Sequence, residues 1–529
     1  MRARETLTRV TGDLDSTAPR RRVPRPDLLG LLVAAASAAV FVSHGFLGRL
    51  DRDLAIYTYA GQRVADGLPP YVGIVNRSGP LSHLAPGLGI WVGRWFDAPD
   101  VTSARVLFLV LSVAAVYAAH RLGRALLGSP WLGAGVGLTL VAVHGFVDYA
   151  SRGPREKTLM VLLLLLALEA VVRRRWATTG VLVSLATLTW QPVFFAAIAT
   201  ALVGLALERR GHRWRALLRL GIGGVVPLGA FMAWYAAIGH LQDFLDCFVL
   251  IHVRYTRQQS ALHDLPRWGQ DLVDHYGFSL WVMVLGLVAS MVAAVVAAVR
   301  LVRVARRRTE RTEEQRALDA ALLAIGVGTV ASLAWTVRAY NGWPDAFLVF
   351  PFAVAGIAVV LGAVRGLAGS RAAVAVALAW SVAAVALGAV YAVDSRSDGL
   401  ELQRAHATAI MAAVGPDATM LSIQAPAPLV VTGHVDPIRH QMFSLGLQNY
   451  VAEIWPGGLA GLRDYLLRTR PTVVVVAAGF RPPWVEQLLE EGYARVGFDR
   501  SGGYSWFVSN EVPEERRTAA QDVLRDATG

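Results

Sequence analysis

The amino-acid sequence predicts a polytopic α-helical membrane protein that ends in a soluble α/β domain. Three observations support this fold class. Of the 529 residues, 54% are hydrophobic and only 17% are charged, and the mean hydropathy is +0.44, which is far from the balance of a soluble domain. Uncharged stretches of about 17 to 25 residues, long enough to cross a bilayer, recur through the first three quarters of the chain. From residue 394 onward no such stretch occurs.

Hydropathy predicts about eleven membrane spans. Their expected bounds are 28–47, 101–119, 131–149, 158–172, 178–190, 192–207, 217–238, 278–299, 317–335, 344–364 and 372–393. Arginine clusters fall between alternate spans, which indicates a cytoplasmic N-terminus and explains the net charge of +12 without nucleic-acid binding. The exception is the pair divided at Gln191-Pro192, which we expect to be a tight hairpin on the outer side. An odd number of spans places the C-terminal domain outside the cell. The Ala, Arg, Gly and Val richness is typical of a high-GC bacterial genome and suggests a bacterial plasma membrane.

The two ends of the chain differ from the membrane part in composition. Residues 1–27 are polar and are predicted to form a disordered cytoplasmic tail, and the apolar run that follows is too long for a signal-peptide core. Residues 394–512 form the predicted extracytoplasmic α/β domain, which we expect to act as a structural cap, with contact to the acceptor as the alternative role, and 513–529 form a charged tail. Hydrophobic patterns predict helices over 401–414 and 485–491, strands over 419–423 and 472–477, and a hairpin of 495–498 with 504–508. The single cysteine excludes an intrachain disulfide.

The first predicted outer loop, 48–100, combines acidic residues with turn-forming ones beside a membrane span. Asp51 and Asp53 come directly after the span, with Arg52 between them. A segment follows whose glycines and prolines can fold back over the bilayer surface. Its candidate substrate-contacting residues are Tyr57, Tyr59, Gly61, Pro70, Tyr71 and Pro80. Taken alone, the acidic pair is more typical of a solvated turn with Arg52 as counter-ion.

Together these elements resemble the GT-C class of integral membrane glycosyltransferases, in particular the family 39-like branch of mannosyltransferase type. The shared pattern is an acidic residue after the first span, an aromatic-glycine segment over 57–61, a Gly-x-x-Pro-Tyr element over 67–71 and the Pro80-Leu81 pair. The resemblance implies a GT-C-like domain over 28–393 with a catalytic first outer loop. It implies a polyprenyl-phospho-sugar donor, mannose favoured, and an envelope glycan, glycolipid or protein acceptor, with inverting transfer on the extracytoplasmic side of the lipid bilayer.

The resemblance also assigns a general base to the acidic residue after the first span. Spacing to the aromatic segment favours Asp53, with Asp51 as the reserve candidate. An aspartate near a low-dielectric boundary, with no arginine too close to it, is expected to have a raised pKa. The chain departs from the family at Val72-Gly73 and Asn76, where many relatives carry a further acidic residue after the Pro-Tyr pair.

A sugar that leaves a polyprenyl phosphate needs cations beside the departing phosphate. The candidate cations are Arg152, Arg155 and Lys157 after the third span, Arg254 and Arg257 in the longest outer loop, and Arg338 before the tenth span. Arginine can hold phosphate with two bonds, and Lys157 is the only lysine of the chain. The alternative for the first group is an interfacial turn in which Glu156 pairs locally. Histidines in these loops lack a ligand spacing with a carboxylate, so no metal site is predicted, and a need for a divalent cation is left open without support from the sequence.

Two other functional classes fit a polytopic membrane chain. A flippase or transporter of lipid-linked sugars usually shows internal repeats and ionisable residues at the bilayer midplane, and the sequence shows no convincing repeat. A non-catalytic component of envelope assembly would leave Asp53 free to vary. The sequence favours the membrane glycosyltransferase over both alternatives.

Overall fold

A computed structural model describes residues 27–256, 260–306 and 312–526 of the chain. Residues 1–26 of the predicted tail and the candidate cation Arg257 lie outside these ranges. The helices of the membrane part are α1 (Leu28–His44), α2 (Arg52–Ala65), α3 (Leu81–Arg94), α4 (Asp100–Leu127), α5 (Pro130–Leu138), α6 (His144–Arg152), α7 (Glu156–Val172), α8 (Trp176–Thr189), α9 (Val193–Ala206), α10 (Arg213–Ala237), α11 (Leu241–Leu245), α12 (Leu265–Tyr276), α13 (Ser279–Ala305), α14 (Glu313–Arg338) and α15 (Phe350–Asp394). They are connected by short 3₁₀-helices at Thr139–Ala142, Arg210–His212, Ala261–His263 and Trp343–Val349 and by a π-helix at Asp246–Tyr255.

The polytopic fold class is confirmed, but the predicted number of spans is not exact. Within the described ranges, five helical stretches are long and apolar enough to cross a membrane, or six if the pair Pro130–Ala142 and His144–Arg152, bent by 75°, forms one span. Several other predicted spans are apolar but short. Helix α1 has 17 residues and helices α8 and α9 have 14 each, so at ~1.5 Å per residue they fall short of a ~30 Å hydrocarbon core.

The two last predicted spans form one long helical stretch, α15, which is divided by a kink. Gly369 has φ of +86° and lies between the two halves. Only glycine adopts such a conformation at little cost, which explains the break inside a helix of 45 residues. The predicted break at Gln191-Pro192 is also present, because α8 ends at Thr189 and α9 begins at Val193.

Glycines bring helices α8 and α10 into backbone contact. A Cβ atom added at Gly180 would lie 2.1 Å from the carbonyl oxygen of Leu220, and one added at Gly223 would lie 2.2 Å from that of Ala177. Membrane helices gain little from the hydrophobic effect within lipid, so close van der Waals packing between small residues takes its place. These glycines therefore set the spacing of the bundle beside the site described below.

The C-terminal domain is a small α/β fold, as predicted. Its strands are β1 (Met420–Ile423), β2 (Val473–Ala477), β3 (Tyr493–Asp499) and β4 (Tyr504–Ser509), and its helices are α16 (Gly399–Val414), α17 (Ala427–Thr432), α18 (Leu447–Ile454), α19 (Gly458–Thr469), α20 (Pro483–Gly492) and α21 (Glu514–Asp526). The sheet order is β1-β2-β4-β3, with β1 parallel to β2 and the other two pairs antiparallel. The predicted charged tail forms helix α21 over most of its described part, and this helix buries Ala520 and Leu524 where it packs on α16 and β3.

The C-terminal domain is joined to the first outer loop by hydrogen bonds. The backbone of Leu50 exchanges two bonds with the side chain of Gln403, at 2.8 and 3.2 Å. The amide of Val75 donates to the carbonyl of Arg439 at 2.8 Å. A buried backbone group that loses its partner costs about 1 to 3 kcal/mol, so these contacts fix the domain over residues 50 to 75.

Candidate functional site

A cavity of about 470 Å³ lies between the first outer loop, the membrane helices and the C-terminal domain. Its polar wall is formed by Arg52, Asp53, Tyr57, Asn76, Arg77, Ser78, Arg155, Glu156, Lys157 and Asp345. Its apolar wall includes Trp190, Pro192, Phe194, Phe195, Val249, Val253 and Trp335. The C-terminal domain contributes Met442, Ser444, Leu445 and Leu447. A cavity with charged groups at one wall and aromatic and aliphatic groups at another suits an amphipathic ligand.

Asp53 lies in the polar wall and is paired with two arginines. Its carboxylate is 2.7 Å from Nη1 of Arg155 and 3.2 Å from Nε of Arg52. Burial among protein atoms acts to raise the pKa of Asp53, but Arg155 and Arg52 outweigh it and hold the pKa well below its usual range. The expectation of a raised pKa is therefore wrong for this arrangement of residues, since an arginine does lie within contact distance.

Arg155 is an almost fully enclosed cation of the cavity wall. Only 6% of its side chain is exposed, and its guanidinium lies 5.7 Å from the ring centres of both Tyr57 and Tyr149. Its Nε lies 3.3 Å from Oε2 of Glu156. Because these groups hold Arg155 on several sides, its position is set before any ligand enters.

Lys157 is paired with a residue from a distant part of the chain. Its Nζ donates to Oδ1 of Asp345 at 2.6 Å and lies 5.0 Å from the ring centre of Trp190. Glu156 is also close, at 3.8 Å. Glu156 does pair locally, as the alternative of an interfacial turn predicted. Lys157, however, also contacts a carboxylate from the segment before α15.

Arg77 brings a further cation to the cavity. Within the described ranges its side chain has neither a hydrogen bond nor an ion pair. Burial lowers the pKa of Arg77, while the nearby acidic groups act in the opposite direction, and an arginine remains charged at neutral pH. A charged side chain without a partner in a cavity is suited to bind an anion.

The backbone around Arg77 is fixed by neighbouring polar side chains. Its carbonyl oxygen accepts hydrogen bonds from Nε2 of His252 at 2.6 Å and from Nε2 of Gln191 at 3.0 Å. Burial lowers the pKa of His252 to about 4, so the ring is neutral at pH 7. One residue further on, Ser78 shares a hydrogen bond with the hydroxyl of Tyr57 at 2.6 Å, and its carbonyl accepts one from the hydroxyl of Tyr71 at 2.7 Å.

The apolar wall includes large side chains that remain partly exposed. Phe194, Phe195, Val249 and Val253 are 42%, 51%, 45% and 77% exposed. The ring of Phe195 stacks on Trp335 with 4.8 Å between centres. An apolar surface that begins at the cavity and reaches the outside of the helix bundle suits a hydrocarbon chain.

Several predicted site residues lie outside the cavity lining. Asp51 precedes the first residue of α2 and pairs with Arg49 at 2.7 Å, while Arg152 pairs with Asp148 and Arg254 with Glu453. Arg338 lies exposed at the end of α14. These four residues are therefore not brought together with Asp53.

Most of the predicted substrate-contacting residues of the first loop also lie outside the cavity lining. Of the six, Tyr57 lines the cavity. The hydroxyl of Tyr59 accepts a hydrogen bond from the amide of Asp436 in the C-terminal domain, and Gly61 allows α2 to contact Pro86 of α3. The carbonyl of Pro70 accepts a bond from Tyr235. Tyr71 is fully buried with φ of +73°, and Pro80 precedes the first residue of α3. These five shape the loop that carries Arg77.

Sequence reasoning missed Arg77, Glu156 as a cavity residue, and Asp345. Arg77 lies in the loop that was singled out, directly after Asn76. No periodicity or spacing distinguishes an isolated arginine in a loop, so its role could not be predicted. Asp345 has none, because its role depends on contact with Lys157, which lies 188 positions away. Within the described ranges no group of three or more histidines, cysteines or carboxylates is placed to hold a metal ion.

The fold of the chain, a helical membrane part followed by a small α/β domain, has counterparts among solved structures. Among solved structures, the chain is similar to the crystal structure of ArnT from Cupriavidus metallidurans bound to undecaprenyl phosphate, with a TM-score of 0.55 and 15% identity over 91% of this chain and 97% of that one. The apo state of the same ArnT gives a TM-score of 0.52 and 15% identity over 90% and 97%.

A third similar structure is the cryo-EM structure of the arabinofuranosyltransferase AftD from Mycobacteria. Its TM-score is 0.50 and its identity 16%, over 91% of this chain and 40% of AftD. No family model and no curated protein sequence matches the chain. At these identities the shared feature is the fold, and the chemistry of the site has to be argued from its own residues.

Proposed function

We propose that the protein is a membrane glycosyltransferase that moves a sugar from a polyprenyl-phosphate donor to a hydroxyl of a cell-envelope acceptor. The single observation that carries the proposal is the cavity, in which Arg77, Arg155 and Lys157 meet beside an exposed apolar wall. Three cations suit the phosphate and the apolar wall suits the prenyl chain. The binding of undecaprenyl phosphate by ArnT, whose fold is similar, supports this donor class.

The reaction at this site is a single displacement. The acceptor oxygen attacks the anomeric carbon, the bond from that carbon to the phosphate oxygen breaks, and its electron pair leaves with the polyprenyl phosphate. The acceptor proton passes to a carboxylate, for which Asp53 is the proposed general base because it lines the cavity, whereas Asp51 does not. The cations stabilise the charge that develops on the phosphate, and one displacement inverts the anomeric centre.

The orientation of the protein is part of the proposal. Asp27 at the start of α1 bonds to Arg124 at 2.7 Å, whereas the cavity lies beyond the other end of α1. Arginine-rich loops face the cytoplasm in membrane proteins, so the end with Arg121 and Arg124 is the cytoplasmic one and the cavity opens on the extracytoplasmic face of a bacterial plasma membrane. The C-terminal domain is then extracytoplasmic and forms one wall of the site.

Sugar transfer by the purified protein tests the function directly. The full chain in liposomes is given a panel of radiolabelled polyprenyl-phosphate sugars, mannose first, then arabinose and glucose, with envelope extract as acceptor. The wild type is expected to transfer label from one donor, and Asp53→Asn to lose transfer by at least about a hundredfold. Asp51→Asn, which removes a carboxylate two positions away and outside the cavity, is the matched control.

The outcomes separate the alternatives. Transfer that is lost only in Asp53→Asn supports the transferase and the base. Equal loss in Asp51→Asn contradicts the assignment of the base to Asp53. Absence of transfer from every donor, with lipid-linked sugar crossing the bilayer, would identify a flippase instead, and absence of both activities would favour a non-catalytic assembly component.

A further inference from the structure

Arg155, a proposed phosphate-binding cation, is paired with an anion of the protein itself. The Asp53 carboxylate is held by Arg155 at 2.7 Å and by Arg52 at 3.2 Å. A carboxylate and a phosphate present similar pairs of oxygen atoms to an arginine, and both form charge-assisted hydrogen bonds with it. A donor phosphate that binds Arg155 through the same face must therefore compete with Asp53.

The surroundings indicate which partner of the ion pair moves. Arg155 is 6% exposed, lies between the rings of Tyr57 and Tyr149, and has Glu156 beside its Nε. Asp53 keeps 40% of its side-chain surface open to the cavity and stands in the first turn of α2. Arg155 is therefore the fixed partner, and Asp53 has space to turn away from it.

We propose that the phosphate of the polyprenyl donor displaces the Asp53 carboxylate from Arg155, so that Asp53 is freed to accept a proton only when a donor is bound. This inference rests on the proposed function, since it requires a polyprenyl-phosphate ligand. Once Arg155 pairs with the phosphate, the positive charge that stabilised the ionised form of Asp53 is directed at the ligand. The proton affinity of the Asp53 carboxylate then rises.

The same exchange has a consequence for product release. Bond cleavage leaves a phosphate monoester, which carries more negative charge at neutral pH than the donor diester and is held more tightly by the same arginine. After the acceptor proton has passed to Asp53 and then to water, the carboxylate is again an anion that competes for Arg155. Asp53 therefore limits how tightly the product is retained.

Binding of undecaprenyl phosphate without any acceptor tests this proposal. The dissociation constant is measured by calorimetry in detergent micelles for the wild type, Asp53→Asn and Asp51→Asn. Asparagine has nearly the shape of aspartate but no charge, so Asp53→Asn is expected to bind undecaprenyl phosphate about tenfold more tightly or better. Asp51→Asn, whose carboxylate pairs with Arg49 outside the cavity, is expected to bind as the wild type does. Asp53→Ser serves as a second charge-removing variant if the asparagine form is unstable.

Each outcome decides between this proposal and the proposed function. Tighter binding in the Asp53 variants alone supports the exchange. Unchanged or weaker binding in those variants, with normal binding by the wild type, overturns the exchange and leaves the donor class intact. Tighter binding in Asp51→Asn as well would mean a general charge effect and also overturns the exchange. Absence of binding by every form overturns the donor class and this inference with it.

Discussion

Nζ of Lys157 lies 2.6 Å from Oδ1 of Asp345, although the two residues are 188 positions apart in the sequence. Both side chains are nearly buried, at 5% and 8% exposed. The same carboxylate accepts a hydrogen bond from the amide of Asn341 at 2.7 Å through its other oxygen. This pair ties the start of α7 to the segment before α15 and places the only lysine of the chain in the cavity wall.

Removal of one partner of this pair is expected to destabilise the protein strongly. Lys157→Met leaves the Asp345 charge without its lysine partner in a buried position, at a cost of about 3 to 5 kcal/mol in the free energy of unfolding. The double variant Lys157→Met/Asp345→Asn removes both charges and is expected to recover most of that stability but none of the activity, because the cation is still absent. Unfolding in detergent micelles and the transfer assay measure the two properties separately.

The matched control for this cycle is Arg49→Gln. Arg49 and Asp51 form an ion pair of similar length, but 49% and 43% of their side chains are exposed. Exposed pairs contribute less than about 1 kcal/mol. If Lys157→Met/Asp345→Asn loses as much stability as the two single variants together, the unpaired charge of Asp345 is not what destabilises Lys157→Met.

Arg77→Gln is expected to affect donor binding and not stability. Arg77 forms neither an ion pair nor a hydrogen bond through its side chain with any described residue, so the free energy of unfolding should change by less than about 0.5 kcal/mol. Loss of a charge-assisted bond to phosphate costs about 1.5 to 3 kcal/mol, which raises the KM for the donor by roughly tenfold to a hundredfold. Steady-state kinetics with the active donor measures this change. Arg254→Gln, at a cation outside the cavity lining, should leave KM unchanged; an equal rise there would contradict the placement of the phosphate.

Substitution of Gly446 tests the contact between the C-terminal domain and the membrane part. Gly446 has φ of +95°, and a Cβ atom there would lie 1.8 Å from the carbonyl oxygen of Tyr255. Gly446→Ala is therefore expected to push the domain away from the cavity, which Leu445 and Leu447 help to line. Lower thermal stability, faster proteolysis between residues 394 and 447, and loss of transfer should appear together.

The control for this substitution is Gly433→Ala. Gly433 has a similar φ of +74°, but no atom lies within 4 Å of the position of its Cβ. It shares the backbone strain, about 1 kcal/mol, without the clash. If both variants lose the same stability, the contact with Tyr255 does not hold the domain in place.

Stability is expected to fall in mild acid because of one buried neutral histidine, His83, in the predicted first outer loop. Both ring nitrogens of His83 lack a hydrogen-bond partner among the described residues, and burial lowers the pKa of His83 to about 3. Below the ordinary pKa of about 6.5 the unfolded chain takes up a proton that the folded chain does not. The stability that neutral His83 contributes is thus complete above pH ~6.5 and is lost as the pH falls towards 3.

His83→Phe is expected to remove this pH dependence. The ring of His83 packs edge-on against Tyr71 with 5.2 Å between centres, an environment that suits phenylalanine. The variant should gain stability over the wild type at pH 5 by about 2 kcal/mol more than at pH 7.5. Melting temperatures at the two pH values measure the difference. His263 is the control, because its ring is exposed to water in both the folded and the unfolded protein. A gain of stability at pH 5 in His263→Phe as well would mean that burial of His83 is not the cause.

Features with a local signal were predicted well from the sequence. Apolar runs identified a polytopic membrane protein, and the Gln191-Pro192 pair marked the break between α8 and α9. A continuous apolar run over 472–477 marked a buried strand, and the hairpin predicted for 495–498 with 504–508 is the antiparallel pair of β3 and β4. The number of spans was predicted less well, because hydropathy measures how apolar a run of residues is and does not give the length of the helix that the run forms. Helices such as α8, with 14 residues, are apolar without reaching the length of a bilayer core.

The composition of the cavity was decided by the tertiary structure alone. From the sequence we could predict that an acidic residue follows the first apolar run at the start of a polar loop, and that Arg155 and Lys157 are candidate cations. It could not show that Arg155 pairs with Asp53, that Lys157 pairs with Asp345, or that Arg77 is left unpaired among the described residues. Those relationships join residues from separate helices and loops, and their charges interact only over a few ångströms. Periodicity and spacing describe neighbours along the chain, whereas pKa and ion binding depend on neighbours in space.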